Sequence, residues 1–195
     1  AGVVTEVSHV PRHISPAMAI ATIILVTVAS GVCLGASYQL TAVNVPQGLA
    51  LAGDLSDPLW QKAAHVPAFV AADGLSKPQA ATEAYLLADR EYLYVAWVCY
   101  EPKANQLVAN ATERDSSVWS DDCIEFLLDP SNGDTWMYHF IVNSKGTMWD
   151  GLHGPAGGDD GYTSHATAKT AVGPDRWTCQ LRIPWGDVGG APQPG

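Results

Sequence analysis

The sequence predicts an antiparallel β-sandwich preceded by a single transmembrane α-helix. Three observations predict it. From residue 80 to 183, short runs rich in β-branched and aromatic residues recur between Gly, Pro, Asn and Asp, the pattern of many short strands. No long stretch of helical periodicity follows residue 65. Ahead of all this, Ala17 to Ala36 runs for 20 residues without a charge. At about 1.5 Å per residue it spans roughly 30 Å, the thickness of a bilayer's hydrocarbon core.

Taken in order, residues 1–16 are an N-terminal tail and 17–36 the transmembrane helix. A cleaved signal peptide is the competing reading, but its apolar region is usually shorter, about 7–15 residues. Arg12, with His9 and His13, lies before the span, and no basic residue follows until Lys62. The positive-inside tendency then puts the tail in the cytoplasm and the C-terminal domain in the periplasm, anchored in a bacterial inner membrane. Small residues in the span, among them Ala29, Gly31 and Gly35, suit close packing on other transmembrane helices. Residues 37–48 are an uncharged linker, and the domain runs over 49–195.

Charge and cysteine content narrow the function classes. Glu6 and Arg12 cancel before residue 37, so the whole net charge of -10 falls after it. An acidic domain repels phosphate backbones, which excludes a nucleic-acid partner. Cys33, Cys99, Cys123 and Cys179 form no CxxC pair and have no histidine at zinc-ligand spacing, so a thiolate metal site is not expected. Cys99 and Cys179 sit in strand-like stretches as small buried hydrophobes, and the pairing of any one disulfide is left open.

Within the domain, Asp57 followed by Pro58 marks a capped one-to-two-turn helix, with Trp60 turned back to the core. Strands are expected at 80–88, 92–100, 122–129, 136–143, 147–152, 164–171 and 177–183. Tyr92–Tyr100 is apolar on both faces, as in a central strand covered on both sides. Residues 154–161 (GPAGGDDG) are expected as a flexible loop.

The richest stretch chemically is Glu113–Asp129, ERDSSVWSDDCIEFLLD. Its second half alternates, with Ile124, Phe126 and Leu128 on one face and Cys123, Glu125 and Leu127 on the other. Ahead of it, Trp119 stands among Ser and Asp, two residues before the paired carboxylates Asp121 and Asp122. An exposed indole flanked by carboxylates suits stacking on a sugar ring or a neighbouring cation site. Trp149 is a second candidate for an exposed contact. Asp54, Asp57, Asp121 and Asp122 lie in turns and admit structural calcium, which needs several hard oxygens.

The ordered motifs LAGDLSDPLWQKA, ADREYLYVAWVCYEP, ERDSSVWSDDCIEFLLDP, YHFIVNSKGTMWDG and DRWTCQLRIPW resemble the family 9 carbohydrate-binding module, of the wider DOMON-like β-sandwich group. The likeness covers residues from about 49 to 195. It implies two antiparallel sheets, often with structural calcium, and in sugar-binding members a slot where two tryptophans clamp a sugar. Trp119 matches one clamp tryptophan and Glu125 the acidic residue of the following strand. The arginine of the family's F-R-V-N strand is replaced, since Phe140, Ile141, Val142 and Asn143 stand there. The resemblance locates the second clamp tryptophan beyond the last motif, where this sequence reads APQPG.

Haem-binding relatives in the same broad group hold haem b with Met and His or Lys. Met137, His139, Lys145 and Met148 are the candidates here, but Met137 and His139 share one strand face and cannot grip opposite sides of an iron. Adjacent Asp121 and Asp122 do not form the facing carboxylate pair, about 5–10 Å apart, that glycoside hydrolysis needs. The chain therefore reads as non-catalytic. Its leading reading is an anchored accessory subunit of a larger membrane complex, such as a photosynthetic reaction centre or a respiratory assembly. The alternatives are a surface-tethered carbohydrate-binding module with Trp119, Glu125 and Trp149 as its contacts, and a haem b electron-transfer domain.

Overall fold

A computed structural model describes residues 40–46, 48–71, 76–130, 136–154 and 157–191. The expected tail and transmembrane helix, with Ala29, Gly31 and Gly35, lie outside the described residues. Among those described, no helix is long and apolar enough to cross a membrane.

Among the described residues, ten strands make two sheets: β1 (Val43–Asn44), β2 (Ala64–Val66), β3 (Thr82–Ala88), β4 (Tyr92–Tyr100), β5 (Cys123–Leu128), β6 (Met137–Asn143), β7 (Met148–Gly154), β8 (Gly157–Asp159), β9 (Thr167–Val172) and β10 (Arg176–Pro184). One sheet runs β1-β3-β4-β10-β9, with β2 also on β3. The other runs β5-β6-β7-β8. Apart from the short parallel β1–β3 contact, the recorded pairings are antiparallel. β1 lies inside the stretch expected as linker, and β8 inside the expected flexible loop, where it closes the β5–β7 sheet.

Alternation places the core between the sheets. Leu93, Val95, Trp97 and Cys99 of β4, with Cys179, Leu181 and Ile183 of β10, face Ile124, Phe126 and Leu128 of β5 and Phe140 and Val142 of β6. Trp97 meets Phe126 edge-on at 5.8 Å between centroids, an arrangement that adds about 0.5–1.5 kcal/mol to area burial. The three described cysteines, Cys99, Cys123 and Cys179, are free and buried. Burial pushes the Cys99 thiol up to about 12, so it packs as a small hydrophobe rather than a reactive thiol.

The double-sided apolarity of β4 has a structural reason. Its second face, Tyr94 and Ala96, packs under Leu49 and Trp60 from the segment that precedes β2. Asp57 caps the 3-10 turn Pro58–Lys62 by accepting from Leu59 N at 2.8 Å. Gln180 of β10 fastens the same segment, accepting from Ala52 N and Gly53 N at 2.9 Å each and donating to Asp54 O. Gly53 has φ +89, and a Cβ there would lie 2.6 Å from the Thr170 carbonyl oxygen, so only glycine fits. This cover occupies the middle of one outer sheet face. The outer face of β5–β8 carries the site.

Candidate functional site

The site is built on odd-numbered positions. Because Ile124, Phe126, Phe140 and Val142 go inward, Cys123 and Glu125 of β5, His139 and Ile141 of β6, and Trp149, Gly151 and His153 of β7 share the outward face. The register brings them together. Glu125 pairs with Ile141, Ile141 with Trp149, and His139 with Gly151.

Glycine at 151 decides where Trp149 lies. A Cβ on Gly151 would sit 2.6 Å from Trp149 Cη2, so the indole is laid along the sheet over that bare backbone. Trp149 is 8 % exposed and packs with Val118, Cys123 and Ile141. Trp149, expected as an exposed contact, is instead a buried strand residue. Trp119, in the 3-10 turn Val118–Ser120, stands on it edge-to-face at 6.0 Å and keeps 37 % of its surface in solvent. Of these two tryptophans, Trp119 is therefore the exposed one.

The loop that carries Trp119 is tied down at several points. Asp121, 2 % exposed, accepts from Asn110 N at 2.8 Å, Ala111 N at 2.9 Å and Asn143 Nδ2 at 2.9 Å. Asp122 turns away and accepts from Val108 N at 2.6 Å. Burial raises the pKa of the Asp122 carboxyl; the Val108 amide opposes this, and the charges of Glu101 and Asp121 add to it. Upstream, Arg114 donates to Asp150 at 2.5 Å and to the Ser164 carbonyl at 3.0 Å, and Asp115 N donates to Met148 O. Asp115 itself adopts φ 62, a conformation that Asp tolerates better than most residues. Arg114 is a positioning residue that sequence reasoning missed, because its partner Asp150 lies 36 positions away.

Beside the aromatic pair runs a polar row. Glu125 Oε2 is 3.1 Å from His139 Nε2, and His139 Nδ1 is 2.9 Å from His153 Nε2. The His139 ring also meets Trp149 edge-on at 5.3 Å. His153 has its pKa lowered, by burial first and by the charge of His139 second, against the opposing pull of Asp160 and Glu125. The sequence offers His139 as a haem candidate and gives no local sign that His153 joins it. Their joining depends on the β6–β7 register.

The four calcium candidates do not converge. Asp54 accepts from Ser56 and Asp57 from Leu59, both in the segment over the first sheet, while Asp121 and Asp122 bind backbone amides near Trp119. Among the described residues, no group of three or more His, Cys, Asp or Glu is arranged to hold a metal ion. The haem candidates are likewise separated: Met148 is in the core, Lys145 Nζ donates to Ala109 O at 2.7 Å, and His139 has both nitrogens engaged.

A family profile described as "Carbohydrate family 9 binding domain-like" matches residues 51–195. A search of curated proteins finds no match. A family 9 carbohydrate-binding module from Caldicellulosiruptor kristjanssonii, solved with glucose, shares the fold at 20% identity and TM-score 0.51, over 74% of this chain and 69% of that one. The module solved with cellotriose gives 21% identity and TM-score 0.51, over 74% and 67%. A protein from Bacteroides uniformis, provisionally described as carbohydrate-binding, gives 16% identity and TM-score 0.54, over 77% and 75%. At these identities the likeness shows the fold alone. None of the matches supports a photosynthetic or respiratory assembly.

Proposed function

The chain belongs to the carbohydrate family 9 binding domain-like family, and from that premise we propose that it is a carbohydrate-binding module whose ligand lies on the outer face of β5–β8. The observation that carries the reading is Trp119, exposed and braced by Trp149 on the same face as Glu125. A sugar ring stacks its apolar C–H face on an indole, and its hydroxyls are satisfied by nearby carboxylate or imidazole groups. Trp119 supplies the stacking surface. Glu125, with His139 and His153, supplies the polar row. Ile141 stands where the family resemblance places an arginine, and the contact to Glu125 is made by His139, two positions away on the same face of β6.

The reading is of binding without catalysis. Asp121 and Asp122 are spent on backbone amides that shape the loop, so neither is free to act on a glycosidic bond. Glucose and cellotriose are the first ligands to test, because fold neighbours hold them. The anchored accessory-subunit reading rests on residues 17–36, outside the described residues, and is not carried forward.

The test is calorimetric titration with glucose, cellotriose and a panel of soluble polysaccharides, using the wild type and Trp119→Ala. We expect saturable binding to a glycan, weakened about fivefold to tenfold in the variant, since aromatic stacking is worth about 0.5–1.5 kcal/mol beyond the area it buries. Failure of the wild type to bind any glycan would remove the reading. So would equal binding by Trp119→Ala.

A further inference from the structure

The Glu125–His139–His153 row has a direction. Glu125 is buried and, as a carboxylate, can only accept. Its contact with His139 Nε2 therefore places the proton on that nitrogen. A neutral His139 then presents a bare Nδ1, and the 2.9 Å contact requires His153 Nε2 to be the donor. One proton per ring satisfies both contacts, and His153 Nδ1 is left as a lone-pair acceptor at the end of the row. The tautomers are assigned from the partners, and no other neutral assignment makes both bonds.

The surroundings keep that acceptor approachable. His153 is partly exposed. The strand beside it carries Gly158, and a Cβ there would lie 3.5 Å from His153 Nδ1, so glycine leaves this edge of the ring uncovered. The His153 ring is 6.3 Å from Trp149, which is 6.0 Å from Trp119. The exposed stacking surface and the acceptor are thus two ring-to-ring steps apart on one sheet face.

We infer that the site reads its ligand through a hydroxyl donated to His153 Nδ1, presented by the Glu125–His139 pair behind it, and that binding weakens when either ring of the row takes up a second proton. The inference rests on the carbohydrate-binding reading. A proton on His153 Nδ1 turns the acceptor into a donor. A proton on His139 Nδ1 instead faces the His153 N–H and breaks the row. Either way the neutral geometry is lost. The groups facing His153 are Glu125 of β5, His139 of β6 and Asp160 in the turn after β8. Burial and His139 oppose its protonation, and Asp160 and Glu125 favour it.

The test combines calorimetric titration of a glycan bound in the screen above, at pH 5.0 to 8.0, with long-range imidazole nitrogen NMR of the free protein. His153→Gln keeps an N–H donor to His139 Nδ1, replaces the Nδ1 acceptor with an amide oxygen in a different position, and cannot titrate. The wild type is expected to lose about tenfold in affinity between pH 7.5 and 5, and the variant to bind about tenfold more weakly at pH 7.5 with a flat profile, each the scale of one hydrogen bond to an unpaired partner. The NMR spectrum is expected to show His139 and His153 both protonated on Nε2. A glycan bound with a flat wild-type profile, equal affinity in His153→Gln, or the opposite tautomer on either ring overturns this inference while leaving the carbohydrate reading intact. No binding at any pH overturns both.

Discussion

Trp119 and Trp149 touch edge-to-face, with centroids 6.0 Å apart and planes at 86°. Rings in contact at that angle leave no gap for a sugar between them, so they cannot be the two walls of a clamp. They divide the work: Trp149 is the buttress and Trp119 the platform. Truncating each should therefore give opposite signatures. Trp149→Ala is expected to cost about 3–5 kcal/mol of stability, the usual loss for a buried tryptophan. Trp119→Ala is expected to cost about 1 kcal/mol or less and to abolish stacking. Urea unfolding alongside glycan titration separates the two, and similar stability losses would contradict the division.

Gly151 offers a test that leaves every polar group in place. Its substitution by Ala sets a methyl 2.6 Å from the Trp149 ring, which must tilt away and carry Trp119 with it. Overpacking of this kind typically costs about 1–3 kcal/mol. We expect glycan affinity to fall in Gly151→Ala. Gly186→Ala is the control, since nothing lies within 4 Å of the added methyl. If Gly151→Ala binds as the wild type does, the platform does not depend on the position of Trp149.

The β-sandwich was legible because its cue is local. Period-two alternation in Cys123–Leu128 and the unbroken apolar run Tyr92–Tyr100 name a half-buried and a central strand without knowledge of the partners. The exposure of Trp119 beside that alternation, and the outward place of Glu125 within it, were legible for the same reason. The joining of His139 to His153 was not. It follows from the turn at 144–147, which sets Val142 opposite Met148 and so His139 one diagonal step from His153. A turn displaced by one residue would place the two imidazoles on opposite faces. The stretch 157–159 looked like a flexible loop because glycine carries no alternation, yet its backbone pairs with β7. Arg114 on Asp150 is a tertiary contact with no spacing rule to announce it.

Asp121 and Asp122 are neighbours with unequal roles. Asp121 satisfies two backbone amides and Asn143 from a buried position, so Asp121→Ala strands all three donors. The expected loss is about 2–4 kcal/mol, read as a drop in the urea midpoint. Asp122→Asn keeps an oxygen for the Val108 amide and removes a charge that burial disfavours, so its stability is expected to hold or rise at pH 7. With all these carboxylates taken up by local donors, added calcium or EGTA is expected to leave Tm unchanged. A calcium-dependent rise in Tm, lost in Asp121→Asn, would reverse the argument for that loop.

The last expectation concerns stability rather than binding, and its sign follows from His153. In the folded chain its imidazole gives up its proton more readily than the ordinary value near 6.5, through burial and then His139. Above that value both folded and unfolded chains hold a neutral ring, and the contribution of the row is fully present. As pH falls through 6.5, the unfolded chain takes up a proton that the folded chain resists, and stability declines until the folded ring also titrates. Carboxylates with lowered pKa, such as Asp89, act only at more acid pH. Burial works against that lowering, but it is outweighed by the hydrogen bonds Asp89 accepts from Tyr94, Glu91, Gly48 and Tyr92. Urea unfolding at pH 7.5, 6.5 and 5.5 should therefore give falling midpoints in the wild type and a shallower decline in His153→Gln. A wild-type midpoint that rises on acidification over this window would place the favoured proton on the row in the folded state, and the neutral, directed arrangement of Glu125, His139 and His153 would have to be abandoned.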